Sequence, residues 1–293
     1  MKTGLYPGCS LEGTGKEFDI SLKAICTVLD VQLEEIDDWS CCGASSAHSA
    51  SHLLALALPA RNLALAKKQG LEEVVAPCAA CFNRLVSTQD ELNKNHKLRM
   101  KVEETIEEKW ADDLSVINVI QLFQKIGLDK IKASRKVDLS WLNIACYYGC
   151  LLVRPSGIAH YDDAEQPTSM EAVASAAGAN PVEWNFKTEC CGAAHSISHT
   201  GIVEVLSKKI LDNAMAHGAD AVLVACPMCH SNLDMRQNEM RKHDKQHKDI
   251  PILYITELIG MSMGIDSNKL GLNCHFINPK ILEQIQAKKK VNV

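Results

Sequence analysis

Ten of the thirteen cysteines fall into two matching sets of five. The first set is Tyr6-Pro7-Gly8-Cys9, then Cys41-Cys42-Gly43, then Cys78 and Cys81 as a CxxC pair. The second is Tyr147-Tyr148-Gly149-Cys150, then Cys190-Cys191-Gly192, then Cys226 and Cys229. The intervals are C-x31-CC-x35-CxxC and C-x39-CC-x34-CxxC. Thiolates bind metals and attack disulfides. A CxxC pair can share one metal. Two adjacent cysteines point in different directions and reach two metals of a cluster instead. Zinc closes with four ligands, and an ordinary cubane also takes four thiolates. Five per set leaves one to bridge two irons, to ligate an atypical cluster, or to stay free. Three readings remain open on the residues alone: an iron–sulfur cluster in each half, structural zinc in one or both, or thioredoxin-like exchange at CxxC. A lone CxxC carries little weight. The ordered set occurring twice favours the clusters.

The remaining thiols and the histidines have plainer readings. Cys26 sits in a helical pattern and reads as core. Cys146 lies in a strand just before Cys150 and can compete as a ligand. Cys274 reads as bystander packing. His48, His195 and His199 follow the CCG triplets, and His230 adjoins Cys229. They can donate hydrogen bonds to a cluster or relay protons. Position alone favours helix capping or a solvent-facing role.

The elements that must position these cysteines repeat as well. Each half reads strand, helix, strand, helix, strand. The first strand spans 3–6, a helix 16–29, a strand 31–36, a helix 46–69 and a strand 73–76. The second half offers a strand at 142–147, a helix at 169–177, a strand at 181–184, a helix at 202–217 and a strand at 221–225. Gly70 and Gly218 each lie eight residues before their CxxC, as matched helix C-caps. Alternating strands and helices imply parallel sheets with right-handed crossovers. Every motif cysteine then follows a strand's carboxyl end, where open parallel sheets place ligand sites. The helix after each CCG points a positive N-terminus at that edge.

The expected fold class is α/β: two similar Rossmann-like parallel halves related by pseudo-twofold symmetry, with a helical insertion between them. The expected division is 1–86 and 141–233 for the two cysteine domains. Residues 87–140 form the insertion, with helices over 87–110 and 111–126 and a basic connector at 130–136. Residues 234–293 form a helical C-terminal segment: a charged helix to Lys248, an apolar helix over 252–265, and a tail from Leu270.

Bulk properties exclude other classes. The chain has 293 residues, enough for one large domain or two, and is 46% hydrophobic, so a core is available. A net charge of −5 argues against nucleic acid as the main partner. No secretory leader is evident. No run approaches the roughly 20 apolar residues of a membrane span; the best, 53–65, is broken by Pro59, Arg61 and Asn62. The expectation is a soluble cytoplasmic protein able to dock on a membrane partner. Cysteine clusters in a reducing cytoplasm point to metal or redox chemistry.

With these motifs assembled, the chain resembles the CCG-domain proteins, and within them the B-type subunits of heterodisulfide reductase from methanogenic archaea. The resemblance runs from Tyr6-Pro7-Gly8-Cys9 to the segment His275 to Pro279. It implies a noncubane [4Fe-4S] cluster in each half, with one cysteine bridging irons. Cys9, Cys41, Cys42, Cys78 and Cys81 would hold one. Cys150, Cys190, Cys191, Cys226 and Cys229 would hold the other. The second half departs slightly, with a longer first gap and a second gap one residue shorter. The implied substrate is the mixed disulfide of coenzyme M and coenzyme B. Its reduction needs two electrons and two protons. Two matched sites facing one another would each supply one electron to a homolytic S–S cleavage.

Both coenzymes are anionic, which makes Arg84, Arg154 and Lys187 candidate anchors, with His48 and His195 beside them. Ordinary surface charge is the competing reading. The chain has no ferredoxin-type cysteine run and no GxGxxG. Flavin and relay clusters must then sit on other chains. The resemblance supplies these as the reductase's flavin-containing A-type component and its ferredoxin-like C-type component, linked to hydrogenase or formate dehydrogenase and to electron bifurcation. Two alternatives stand: an electron-transfer subunit of a respiratory dehydrogenase of succinate, lactate or glycolate type, and a zinc-stabilised scaffold.

Overall fold

In the computed structural model, which describes residues 1–291, eight short strands build two separate parallel sheets. β1 (Lys2–Leu5), β2 (Gln32–Glu35), β3 (Glu73–Ala76) and β4 (Ser115–Asn118) form the first, in the order β2-β1-β3-β4. β5 (Asn143–Tyr147), β6 (Asn180–Pro181), β7 (Ala221–Val224) and β8 (Ile252–Tyr254) form the second, in the equivalent order β6-β5-β7-β8. Every strand pair is parallel. The inner strands are continuous apolar runs because helices cover both faces; all four residues of β7 are buried.

Helix ends follow their sequence signals. The helix His52–Lys68 carries Lys67 and Lys68 in its last turn, where cations meet the negative end of the dipole. Gly70 then takes φ +82°, and Leu71 N–H closes back to the Ala66 carbonyl at 3.0 Å. The second half copies this: after the helix Thr200–Ala216, Gly218 takes φ +80° and Ala219 N–H reaches the Ala214 carbonyl at 3.1 Å. Left-handed backbone of this kind is what glycine permits.

Several expectations are corrected. The stretch 111–126 is not one helix: it holds β4, and only Val119–Ile126 is helical. The apolar run 252–265 likewise opens with β8 before the helix Ile255–Ser262. In both, the strand passes into the helix with no turn between, so the apolar pattern shows no break. Asn118 makes the switch, ending the strand while its Oδ1 accepts from Ile120 and Gln121 N–H at 2.9 and 3.0 Å. The expected helix 46–69 is split by Ser51, which is extended and accepts from Leu54 N–H. The strand 181–184 shrinks to Asn180–Pro181, since proline offers the sheet no N–H. The charged stretch 87–110 is two helices, Ala79–Lys94 and His96–Ile106, the first starting immediately behind Cys78. The connector 130–136 is largely a helix, Leu128–Ala133. The charged stretch to Lys248 is Pro227–Met235 followed by Gln237–His243. The tail from Leu270 follows a 3-10 turn at Ser267–Leu270 and contains another at Leu272–Cys274 and the helix Ile281–Val291; its last two residues lie outside the described chain. Among the described residues no helix is long and apolar enough to cross a membrane.

The halves meet in matched pairs. Lys16–Val28, after β1, packs on Ile255–Ser262, after β8; Ser169–Ala176, after β5, packs on Val119–Ile126, after β4. Gly8–Glu12 meets Pro227–Met235, and Ser156–Ala159 meets Ala79–Lys94. Each contact has its counterpart with the halves exchanged, which is a pseudo-twofold arrangement.

One side of the seam is polar and fully packed. Tyr254 lies between Phe18 and His230, with ring centroids 4.3 and 4.2 Å away and nearly parallel planes. His275 Nε2 reaches Glu257 Oε1 at 2.7 Å, and its other nitrogen faces His230 Nε2 at 3.3 Å. Asp234 accepts from the N–H groups of Phe276 and Ile277 and so pins the tail. Burial works against charge on His275, but Glu257, Asp234 and Glu17 hold its pKa up to about 9. A folded pKa above the ordinary 6.5 gives stability that is complete below 6.5 and gone once pH passes about 9. Burial raises Glu17, Asp234 and Glu257 too, which acts in the same direction. Thermal melts should therefore show stability declining from pH 7 towards pH 10, with the limb near pH 9 missing in His275→Gln. An unchanged limb in that variant would remove His275 as its source.

Candidate metal centre

All thirteen thiols are free; eight of them run as one file from Cys9 to Cys191, and Cys150 and Cys190 pair beside its end. Cys41 Sγ lies 3.7 Å from Cys9 Sγ, and Cys42 Sγ lies 3.4 Å from Cys81 Sγ. Cys41 and Cys42 hydrogen-bond to each other, as do Cys78 and Cys81. In the second half Cys191 Sγ is 3.5 Å from Cys229 Sγ, Cys190 bonds Cys150, and Cys226 bonds Cys229. The two sets meet at the middle, where the buried Cys78 and Cys226 face each other across the seam closely enough to shift each other's protons. These separations approach the roughly 3.8 Å between sulfurs that share one tetrahedral metal with 2.3 Å bonds.

The loops that hold the thiols are built alike. Gly8 and Gly149 have φ +67° and +65°. A Cβ at Gly8 would stand 2.8 Å from Cys81 Sγ, and one at Gly149 3.1 Å from Cys229 Sγ. The missing side chain thus lets the first cysteine's loop close over the CxxC thiol. The CCG glycines Gly43 and Gly192 also have positive φ, +72° and +79°. Their N–H groups aim at Cys41 Sγ and Cys190 Sγ, at 3.4 and 3.3 Å. The tyrosines opening the two motifs act as struts: Tyr6 OH donates to the Ser40 carbonyl at 2.7 Å, and Tyr147 OH to the Glu189 carbonyl at 2.6 Å. Each strut ties a strand end to the residue before a cysteine pair.

Backbone N–H groups aimed at sulfur, glycine cradles and packed thiols fit a thiolate-bound iron–sulfur group in each half. The thiols also share protons in a way that suits metal. Cys42 is held down by hydrogen bonds from Cys41 and Cys81, Cys190 by Cys150, and Cys226 by Cys229 and Cys78. Their partners Cys41 and Cys150 are pushed up in return, chiefly by those bonds, and Cys229 is pushed up chiefly by its bond with Cys191 and then by that with Cys226. Ten adjacent thiols cannot all ionise unless cations join them.

A cavity of about 410 Å³ opens on the file. It is lined by all five cysteines of the first half and, from the second half, by Ser196, Ile197, Met228, Asn232, Met235 and Arg236. Sequence reasoning missed this wall, since its residues belong to the opposite repeat. Arg236 is the cation there; it donates to the Ser196 carbonyl at 2.8 Å and stands 3.8 Å from Glu239, and its buried Nε has no partner.

The basic anchors expected from the sequence sit elsewhere. Arg84 donates to the Ala55 carbonyl at 3.2 Å, and its charge bears on Cys42. Arg154 pairs with Glu165 at 2.8 Å and bonds Thr188. Lys187 is buried against Glu171 at 2.7 Å, while its carbonyl receives Tyr148 and Gly149 N–H. None of the three lines the cavity. His48 and His195 are exposed, with His195 edge-on to His199 at 5.4 Å and its charge bearing on Cys190. His230 is buried in the seam stack. Cys26 and Cys146 are buried in the core, their thiols pushed up by burial, and Cys274 is exposed. The charges nearest Cys146 are Glu171 and Lys187, so it stands apart from the file.

The profile of the cysteine-rich CCG domain matches residues 3–86 and again 144–234, covering both halves. This chain belongs to the CCG cysteine-rich domain family. Over 273 residues it is 31% identical to the 8-methylmenaquinol:fumarate reductase membrane anchor subunit of Wolinella succinogenes, spanning 93% of this chain and 96% of that one. It is 27% identical to a protein of Archaeoglobus profundus described as like the B-type subunits of heterodisulfide reductase, over 99% of this chain and the whole of its relative. A crystal structure of a hypothetical protein from Helicobacter pylori shares the fold at a TM-score of 0.74 and 13% identity, covering 94% of this chain. This chain spans about half (51%) of that structure's length, and the likeness speaks to fold alone. CCG membership and these relatives support an iron–sulfur, redox role.

The glycine cradles carry a prediction for both CCG halves. Gly8→Ala should cost the first half its metal, because the new Cβ meets sulfur at 2.8 Å and the backbone is left-handed. Gly149→Ala, at 3.1 Å, should damage the second half less. Iron and acid-labile sulfide per anaerobically purified chain measure both effects. Full loading of the Gly8→Ala protein would show that the cradle does not matter.

Proposed function

We propose that this chain is the cluster-bearing subunit of a disulfide-reducing complex of the heterodisulfide reductase kind. In this reading Cys9, Cys41, Cys42, Cys78 and Cys81 hold one noncubane [4Fe-4S] cluster, and Cys150, Cys190, Cys191, Cys226 and Cys229 hold a second. When bound, the clusters supply iron for a substrate sulfur and one electron each to the S–S bond. The balance is RSSR′ plus two electrons and two protons, giving RSH and R′SH. The substrate is the mixed disulfide of coenzyme M and coenzyme B.

One observation carries the reading: the two cysteine sets meet at Cys78 and Cys226, beside a cavity. A volume of about 410 Å³ is of the size that small-molecule sites take. Met228, Met235 and Ile197 offer an apolar wall for an alkyl chain, and Arg236 offers a guanidinium to an anionic end. Arg236 thereby takes the anchoring role that the sequence suggested for Arg84, Arg154 or Lys187. The proposed partners are the flavin-bearing A-type and ferredoxin-like C-type components of such a reductase, coupled to hydrogenase or formate dehydrogenase.

A second reading has its own support. The 31% identity to a subunit of an 8-methylmenaquinol:fumarate reductase, and the apolar cavity wall, both suit a respiratory electron-transfer subunit facing a quinone. Anaerobic protein loaded with iron and sulfide separates the two. The first reading expects oxidation of reduced viologen on adding the heterodisulfide. The second expects none, and electron exchange with a menaquinol analogue instead. Zinc without acid-labile sulfide would support the scaffold over both. For the first reading, Arg236→Ala should raise KM about tenfold to a hundredfold with kcat retained. A charge-assisted hydrogen bond is worth about 1.5–3 kcal/mol, and about 1.4 kcal/mol is tenfold. An unchanged KM would place the anionic end elsewhere. Cys78→Ser, at the junction of the sets, should abolish turnover.

A further inference from the structure

The two sites share a backbone plan but not a charge. The position three residues after each CxxC lies on the early turns of equivalent helices, Ala79–Lys94 and Pro227–Met235. It is Arg84 in the first half and Asn232 in the second. Both side chains attend the second cysteine of their CCG triplet. Asn232 Nδ2 lies 3.2 Å from the Cys191 carbonyl and 3.6 Å from Cys191 Sγ. Arg84 is tied to the Ala55 carbonyl on the helix that follows the first CCG turn, and it is the cation acting on Cys42.

The surroundings sharpen the difference. Among the described residues Arg84 has no carboxylate partner. In the second half, the permanent cations near the Cys150 and Cys190 loops are neutralised, Arg154 by Glu165 at 2.8 Å and Lys187 by Glu171 at 2.7 Å, which leaves the exposed imidazole of His195 as the group acting on Cys190. The cavity is lined by the first-half thiols and by none of the second-half thiols, and its own cation, Arg236, is partly offset by Glu239 at 3.8 Å. An uncompensated cation favours the more negative, reduced state of a thiolate-held group beside it. A neutral amide donating to sulfur does so more weakly.

We propose that Arg84 is a positioning residue for charge, making the first-half site the stronger electron acceptor, so that an electron entering the chain settles first on the site that faces the cavity. This rests on the reading that both halves hold iron–sulfur clusters. It assigns direction within the pair: the second half receives and passes on, through the Cys78–Cys226 contact, and the first half holds. Arg84 then serves the protein's own metal group and has no part in anchoring substrate.

The test is a redox titration of the anaerobically loaded full chain, followed by electron paramagnetic resonance, without substrate. Iron and sulfide are counted first; an unloaded half would sink the two-cluster reading, independently of Arg84. In loaded protein two separate reduction steps are expected. Arg84→Gln should move the higher step to lower potential and leave the other in place. Arg84→Lys, which keeps the charge, should restore it. The proposal is overturned if Arg84→Gln and Arg84→Lys shift equally, if Arg84→Gln moves neither step or only the lower one, or if wild type shows one step that Arg84→Gln leaves unchanged.

Discussion

Ten thiols gathered this closely is an arrangement the chain would not choose. Neighbouring thiolates repel, and neighbouring thiols can only divide protons among themselves. That division is visible in the structure: Cys42, Cys190 and Cys226 are held towards the thiolate while Cys41, Cys150 and Cys229 are pushed the other way. The fold is therefore a device for imposing proximity. Parallel strands deliver the cysteines to common edges, the tyrosine struts fix the loops, and Gly8 and Gly149 remove the atoms that would keep thiols apart. Iron bound there would turn that strain in charge into attraction.

Duplication explains how one edge serves twice, and divergence explains why the two sites differ. Strand orders match, helix contacts exchange in pairs, and the C-caps at Gly70 and Gly218 close with the same bond. Side chains at equivalent positions do not match. Ala80, Phe82 and Thr88 in the first half correspond to Met228, His230 and Arg236 in the second. Met228 and Arg236 reach over the first-half thiols and wall a cavity. His230 joins Tyr254 and Phe18 in a stack that locks the seam. A symmetric scaffold thereby acquires one working face.

The seam has a second role in holding geometry. The file of thiols is continuous only because Cys78 and Cys226 come from different halves, and a small rotation between the halves would part them. The buried network of Glu17, Tyr254, His230, His275 and Glu257 draws on both halves and on the C-terminal segment. Its polar groups pair with one another, so each fixes its neighbours' orientation. The segment 275–279 is thus part of the frame that sets the spacing of the thiols.

Much of this was legible from residue types and intervals alone. The doubled set of cysteines, the parallel α/β character and the matched glycine caps are local or periodic signals, and local backbone chemistry suffices to produce them. β4 and β8 were not legible, because each runs without a turn into an apolar helix and leaves no break in the pattern. Nor was the cavity wall, or the pairing of Lys187 with Glu171 in place of a ligand. A side chain's partner is decided by which surfaces the folded halves bring together. The chain by itself determined which thiols are offered to a metal. Tertiary packing decided which charges face it, since a cation's effect depends on distance and on the carboxylates beside it.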